Sequence, residues 1–208
     1  MKILVCDMDG TLVDSKSNIT AAVNYVRREI NGKDAISEEE VVAFLNGETD
    51  DAARLFAGEG SLERERRLFR EYYLEICTDN LSFFDGMRET LEELKGMGVA
   101  LAIATNASTI FAKKMMQSLD ALHLFEKIVG ADSVTHPKPS PDMVESIMAA
   151  LGAGSSECRV IGDSIKDMRA AKAAGAEAIF AGWGYSDAEC ADMVLYSPSE
   201  LTGSLSWE

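Results

Sequence analysis

Basic residues are scarce in this sequence. Its 208 residues include 20 lysines and arginines against 35 aspartates and glutamates, which gives a formal net charge of −15. Nucleic acids and anionic membrane surfaces are bound through clustered positive charge, and the sequence contains no cluster of that kind. We therefore expect neither nucleic acid nor a membrane as a partner.

Long hydrophobic runs and clustered cysteines are also missing. The first apolar run ends at Asp7, too early for a signal peptide, and no later run approaches the roughly 20 residues of a membrane-spanning helix. We expect a cytoplasmic protein. The cysteines are too widely separated to indicate a disulfide framework or a zinc site; they are Cys6, Cys77, Cys158 and Cys190.

The chain does contain enough apolar residues for a sizeable core, since 47% of its residues are hydrophobic. Short apolar runs, typical of strands buried on both faces, alternate with segments of helical periodicity. The predicted strands are Ile3–Cys6, Val99–Ala104, Lys127–Val129, Cys158–Ile161, Ala178–Ala181 and Met193–Leu195. This alternation predicts an α/β fold, a doubly wound, Rossmann-like parallel sheet with right-handed crossovers, formed by residues 1–14 and 84–208.

Residues 15–83 have a different character. Their apolar positions recur at helical spacing without a convincing strand, which predicts a small all-helical domain inserted into the α/β core. The segment Ser37–Glu40 predicts a capping box at the start of the second helix, and Ser61 is the expected start of a later one. Asp14 and Ser15 are expected to shape the hinge into this insertion.

An acidic motif, Asp7-Met8-Asp9-Gly10-Thr11, directly follows the first predicted strand. Alternate side chains of an extended segment share a face, so Asp7 and Asp9 could converge, and Gly10 would let the backbone approach a ligand closely. We interpret the stretch as part of a phosphoryl-transfer site, although the stretch alone also fits a strand that runs into an Asp-Gly turn. A phosphoryl-transfer site in so acidic a protein needs local positive charge, most simply a divalent cation and a lysine.

Further polar residues follow the later strands. Thr105 and Asn106 end the second predicted strand, Asp163 ends another, and Lys138 lies on a proline-rich loop. Ligands of such sheets bind outside the carboxyl ends of the strands, so these side chains are expected to converge with the acidic motif. Taken singly, each also fits a turn, an N-cap or a hydroxyl at a strand end.

The four stretches together resemble the motifs of the haloacid dehalogenase-like hydrolase superfamily. They are Asp7-x-Asp9-Gly10-Thr11, Thr105-Asn106, Lys138 in Lys-Pro-Ser-Pro, and Gly162-Asp163-Ser164-x-x-Asp167. The helical insertion occupies the position of the small cap domain in the phosphoglycolate phosphatase-like and beta-phosphoglucomutase-like branches. The resemblance covers the whole predicted core.

The resemblance implies a Mg²⁺-dependent phosphatase that works through an aspartyl-phosphate. Asp7 is then the nucleophile, and Asp9 is the general acid and base. We expect the carboxylates around Asp9 to raise its pKa and favour its acid form. The implied metal ligands are Asp7, the backbone carbonyl of Asp9 and Asp163, and the implied phosphate-binding residues are Thr105, Asn106 and Lys138.

Other residues near the motifs have several possible roles. Asp167 either orients Lys138, tunes the metal site or caps a helix. His136 is interpreted as a loop residue because Asp9 is available as the base, and Trp183 and Tyr185 are interpreted as packing at a strand end.

The expected substrate is a small phosphorylated metabolite, either phosphoglycolate-like or a sugar phosphate, bound by a monomer or a homodimer. Residues 47–51, where caps of these branches carry specificity residues, are acidic, which disfavours a strongly anionic leaving group unless Arg54 compensates. The alternative is a phosphoglucomutase-like transfer to a sugar hydroxyl. A haloacid dehalogenase would not need Asp9, and a non-catalytic phosphate-binding protein would not need Asp7.

Overall fold

A six-stranded parallel sheet organises the larger part of the chain in the computed structural model, which describes residues 1–46, 55–56, 62–187 and 190–205. The strands are β1 (Ile3–Cys6), β2 (Val13–Asp14), β3 (Ser82–Phe83), β4 (Ala100–Thr105), β5 (Phe125–Gly130), β6 (Cys158–Gly162), β7 (Glu177–Ala181) and β8 (Met193–Leu195). The sheet has the order β5-β4-β1-β6-β7-β8, and every neighbouring pair is parallel. The predicted doubly wound α/β fold is confirmed.

Helices connect these strands. They are α1 (Lys16–Glu29), α2 (Glu38–Asn46), α3 (Leu62–Ile76), α4 (Met87–Gly96), α5 (Thr109–Ser118), α6 (Asp142–Leu151), α7 (Ile165–Ala173) and α8 (Glu200–Ser204). Within the described ranges, none of them is both long enough and apolar enough to cross a bilayer.

The core explains why β1 is apolar along its whole length. Ile3 and Val5 belong to a buried cluster that includes Met143 and Ile147 of α6 and Met168 of α7. The residue between the first two, Leu4, points to the opposite face of the strand and is also fully buried. A strand buried on both faces has no polar alternation, because neither face meets solvent.

The chain forms two compact units, one of Met1–Asp14 with Ser82–Glu208 and the other of Ser15–Leu81. The predicted boundary after residue 83 differs by two residues from this division. The reason is that β3 pairs antiparallel with β2, which brings Phe83 opposite Val13 and Ser82 opposite Asp14. We call this pair the β2–β3 ribbon. A two-residue strand is too short to produce a recognisable sequence pattern.

The smaller unit is helical, and α1 contacts both α2 and α3. The side-chain amide of Asn18 donates to the carbonyls of Ile76 and Asp79, each at 3.0 Å, where α3 ends. The predicted capping box is confirmed, since the Glu40 backbone N–H donates to Ser37 Oγ and the Ser37 N–H donates to Glu40 Oε2. The predictions for Ser61, for residues 47–51 and for Arg54 concern residues outside the described ranges.

Candidate active site

Asp7 directly follows the central strand β1 and is buried, with 8% of its surface exposed. The ammonium of Lys138 donates to Asp7 Oδ1 at 2.5 Å, to Asp167 Oδ1 at 2.6 Å and to the Ala104 carbonyl at 2.7 Å. Because β4, β1 and β6 are adjacent and parallel, their carboxyl ends meet at one edge of the sheet. Lys138 therefore joins the first, third and fourth motifs.

Asp163 directly follows β6, and Asp167 lies in the first turn of α7. Asp163 Oδ1 accepts a hydrogen bond from Thr11 Oγ1 at 3.2 Å, and its Oδ2 accepts one from the Tyr185 backbone N–H at 2.8 Å. Asp167 Oδ2 accepts hydrogen bonds from the backbone N–H and the hydroxyl of Ser164, which forms a capping box. Asp167 thus both orients Lys138 and caps a helix.

The turn at Gly10 brings the first and fourth motifs into contact. Gly10 has a φ of +87°, a conformation that favours glycine. A Cβ at this position would overlap the carboxylate of Asp163 and would lie 2.8 Å from Cδ2 of Tyr185. The close approach that the sequence predicted for a ligand is therefore made, in this structure, to the protein's own side chains.

The second motif lies at the end of β4. Thr105 is buried, and its Oγ1 accepts a hydrogen bond from the Ala107 backbone N–H at 3.0 Å. The side-chain amide of Asn106 donates to the backbone carbonyl of Lys138 at 2.9 Å. Asn106 therefore helps to hold the loop that carries the lysine, and its contact with phosphate stays a prediction.

Asp9 is half-buried, in contrast to Asp7, and its backbone forms a bridge with Val13. Carboxylate oxygens of Asp7, Asp163 and Asp167 lie within 4.8 Å of one another. Among the described residues, the side chain of Asp9 does not belong to this cluster. The ligand that the resemblance implied for Asp9 is its backbone carbonyl, and this assignment stays a prediction. The role of Asp9 as acid and base stays a prediction as well.

Burial and mutual repulsion dominate the electrostatics of the cluster. Burial raises the pKa of Asp7 well above its ordinary value; Lys138 opposes this rise, and the other two carboxylates add to it. Burial and the charge of Asp167 raise the pKa of Asp163 to about 7. Burial disfavours the charged form of Lys138, but the carboxylates of Asp167 and Asp7 outweigh it and raise the pKa of this lysine. The lysine therefore stays charged beside three carboxyl groups.

This excess of negative charge fits a divalent metal ion. Carboxylate oxygens are the hard ligands that Mg²⁺ prefers, and a bound cation would relieve the repulsion among these groups. Both oxygens of Asp167 accept hydrogen bonds, and so do both oxygens of Asp163. Hydrogen bonding therefore does not distinguish the possible ligands, and the assignment of Asp7 and Asp163 as metal ligands stays a prediction.

The sequence and the fold of this chain resemble those of known proteins. The family model of the haloacid dehalogenase-like hydrolases matches residues 4–181. The chain belongs to the haloacid dehalogenase-like hydrolase family. The predicted membership is confirmed, and so is the prediction that the chain is a phosphoric monoester hydrolase of this family.

Several members of the haloacid dehalogenase-like family resemble the chain over nearly its whole length. A phosphoglycolate phosphatase of Aquifex aeolicus (strain VF5) is 30% identical over 203 residues, which cover 97% of this chain and 95% of the relative. A phosphoglycolate phosphatase of Chromobacterium violaceum is 32% identical over 211 residues, with coverage of 97% and 95%. The crystal structure of a predicted phosphoglycolate phosphatase from Haemophilus somnus 129pt has a TM-score of 0.88 at 24% identity and covers 98% of this chain and 97% of that one, so the fold is shared.

The sequence did not reveal the polar contacts of the segment after β7. Trp183 Nε1 donates to the Thr11 carbonyl at 3.0 Å, and Tyr185 bonds to Asp163 through its backbone and to Asp14 through its hydroxyl. Both aromatic residues directly follow a glycine, which was visible in the sequence, but their partners are distant along the chain. The segment is part of the framework of the site and does more than fill space at a strand end.

His136 lies in the proline-rich loop, as the sequence predicted. Its backbone N–H lies 3.1 Å from Asp142 Oδ2, and its ring Nδ1 lies 3.2 Å from the same oxygen. Asp142 also accepts a hydrogen bond from the hydroxyl of Ser140. These contacts connect the residues on both sides of Lys138 to Asp142, and they are consistent with the interpretation of His136 as a loop residue.

Proposed function

We propose that this hydrolase is a Mg²⁺-dependent phosphatase that hydrolyses a small phosphorylated metabolite through an aspartyl-phosphate on Asp7. The main support is the ion pair of Lys138 with Asp7, which has an N–O distance of 2.5 Å at the carboxyl end of the central strand. An ammonium in this position can attract the phosphoryl group to the nucleophile and compensate part of its charge.

In the first half of the reaction, an oxygen of the Asp7 carboxylate attacks phosphorus and forms the aspartyl-phosphate. The bond between phosphorus and the ester oxygen breaks, and a carboxyl oxygen of Asp9 gives its proton to the departing alkoxide. Thr105 and Asn106 bind phosphoryl oxygens. The hydroxyl of Thr105 is suited to this task because its bond to Ala107 uses the oxygen as acceptor and leaves the hydrogen for donation.

In the second half, the ionised Asp9 takes a proton from water while the water oxygen attacks phosphorus. The acyl phosphate bond breaks, phosphate is released and the Asp7 carboxylate is restored. Lys138 stays charged throughout, since its two carboxylate neighbours raise its pKa. It can therefore attract the phosphoryl group through its charge without acting as an acid.

The metal ion would be held by the carboxylates of Asp7 and Asp163 and by the backbone carbonyl of Asp9. When bound, Mg²⁺ compensates the charges of the phosphoryl group and of the surrounding carboxylates. Asp167 supports the site indirectly by holding Lys138.

A phosphoglycolate-like compound or a sugar phosphate is the substrate class we propose. The support comes from the relatives named phosphoglycolate phosphatase, whose sequences align with nearly all of this chain. We also propose that the helical unit acts as the cap that selects the substrate, and that the enzyme works as a monomer or a homodimer.

The experiment that tests this function is a phosphate-release screen with purified protein. The panel should contain phosphoglycolate, hexose phosphates, nucleotides and pyrophosphate, each with Mg²⁺ and with a chelator. We expect Mg²⁺-dependent release of phosphate from one or a few small monoesters. Conversion of a hexose phosphate into its isomer without free phosphate would identify a mutase, and no reaction with any compound would argue against catalysis.

A further inference from the structure

Tyr185 forms hydrogen bonds with two aspartates that are distant along the chain. Its backbone N–H donates to Asp163 Oδ2 at 2.8 Å, and its hydroxyl donates to Asp14 Oδ1 at 2.8 Å. One residue thus connects a candidate metal ligand to the last residue of β2. The sequence separation is 22 residues to Asp163 and 171 residues to Asp14.

The segment around Tyr185 holds Asp163 from several sides. The hydroxyl of Ser186 donates to the backbone carbonyl of Asp163. A Cβ on Gly184 would overlap Asp163 and would lie 2.5 Å from the Gly10 carbonyl oxygen. The backbone of this segment is packed closely against Asp163, so a displacement of the Tyr185 backbone would also displace the Asp163 carboxylate.

The other end of Tyr185 is fixed to the β2–β3 ribbon. Asp14 ends β2, and the Tyr185 ring meets the ring of Phe84 edge-on, with 6.3 Å between centroids. Phe84 directly follows β3, and its backbone N–H donates to the Leu12 carbonyl at 3.1 Å. Both contacts of the Tyr185 side chain are therefore made within the larger unit, to residues that lie close in sequence to its boundaries at Asp14 and Ser82.

We propose that Tyr185 is a positioning residue that fixes the Asp163 carboxylate relative to the β2–β3 ribbon, so that metal affinity depends on the Tyr185–Asp14 hydrogen bond. This inference rests on the proposed function in one respect, namely that Asp163 is a metal ligand. The hydroxyl orients the tyrosine, the tyrosine backbone orients the carboxylate, and the carboxylate binds the cation.

The test is the Mg²⁺ dissociation constant of Tyr185→Phe, measured by titration calorimetry on the full chain without substrate. Loss of a hydrogen bond that orients a ligand weakens metal binding by about 10-fold or more, and the indirect path here predicts about 5- to 10-fold. Tyr196→Phe is the matched control, since Tyr196 is 74% exposed.

Two substitutions at the partner residue complete the test. Asp14→Asn keeps the Oδ1 acceptor and should bind Mg²⁺ like the wild type, whereas Asp14→Ala should weaken binding as much as Tyr185→Phe. The double variant Asp14→Ala with Tyr185→Phe should be no weaker than either single variant, because both remove the same bond.

The inference would be overturned if Tyr185→Phe bound Mg²⁺ with wild-type affinity, even if its unfolding temperature fell, since that would indicate a packing role only. Independent, additive effects of the two substitutions would overturn it as well. A failure of the proposed function would instead be visible in the wild type, as an absence of Mg²⁺-dependent phosphate release.

Discussion

Asp167 Oδ1 accepts a hydrogen bond from Lys138 Nζ at 2.6 Å, while the other oxygen of Asp167 accepts two from Ser164. The capping of α7 and the orientation of the lysine are therefore performed by one carboxylate. Gly162 makes the arrangement possible, because a Cβ there would overlap the side chain of Asp167. The glycine at the end of β6 therefore leaves the space in which Asp167 contacts Lys138.

Replacing Asp167 by asparagine should lower the rate more than it lowers metal affinity. The amide side chain would keep an oxygen for the Ser164 cap but would lose the charge that holds Lys138, so we expect kcat to fall about 10- to 100-fold. The dissociation constant for Mg²⁺ should change by less than about threefold, because the proposed metal ligands are Asp7 and Asp163, whereas Asp167 Oδ1 is bonded to Lys138. Asp34→Asn, at an exposed position, is the control. A large loss of Mg²⁺ affinity in Asp167→Asn would instead make Asp167 a metal ligand.

Lys138→Met should destabilise the metal-free protein. Removing one partner of a buried ion pair leaves uncompensated carboxylates and typically costs about 3–5 kcal/mol. Chemical unfolding in the presence of a chelator measures the loss, with Lys113→Met, an exposed position on α5, as control. Mg²⁺ should restore more stability to Lys138→Met than to the wild type. Equal stability of the two Lys→Met variants would show that the charge of Lys138 is not needed to balance the carboxylates.

The metal-free protein should lose stability as the pH rises from about 4 to about 7. Asp163 has a pKa raised from 3.8 to about 7 in the folded state, so between these values the folded state binds more protons than the unfolded state. Its contribution to the free energy of unfolding therefore falls by up to about 1.4 kcal/mol per pH unit across this window. Urea unfolding with a chelator at several pH values checks this, and Asp163→Asn should flatten the dependence. A stability that rises through the same window in the wild type relative to Asp163→Asn would contradict the assignment.

Gly10→Ala and Gly86→Ala separate steric overlap from backbone strain. Both glycines have positive φ, +87° and +77°, so both substitutions carry the left-handed penalty of about 1 kcal/mol. A Cβ on Gly86 meets no atom within 4 Å, whereas one on Gly10 would overlap Asp163 and approach Tyr185. We expect only Gly10→Ala to lower Mg²⁺ affinity and activity strongly. Equal effects of the two substitutions would mean that the tight packing around Gly10 is unimportant.

The sequence predicted the sheet and the convergence of Asp7, Lys138 and Asp163 for a physical reason. A strand buried on both faces has a continuous apolar run, so β1, β4 and β6 were visible, and Asp7 and Asp163 could be placed at their ends. Parallel topology then brings such ends together whatever their separation along the chain. For the same reason Lys138 was expected near Asp7, from which it is separated by 131 residues.

Contacts made by individual side chains across the fold were not predictable in the same way. The bond from Asn106 to the Lys138 carbonyl and the bond from Tyr185 to Asp14 have no local pattern, because their partners lie far apart in the sequence. The β2–β3 ribbon was missed because two residues per strand show no periodicity. These features are set by packing and not by local propensity.

Phosphate release by Asp7→Asn shows whether Asp7 is the nucleophile. The substitution is nearly isosteric, so the circular dichroism spectrum and the cooperative unfolding transition should be retained. With Mg²⁺ and the best substrate of the wild type, we predict a rate below about one hundredth of the wild-type rate, as is usual when a group that forms a covalent intermediate is removed. A folded Asp7→Asn protein with a rate above that level would contradict the assignment of Asp7.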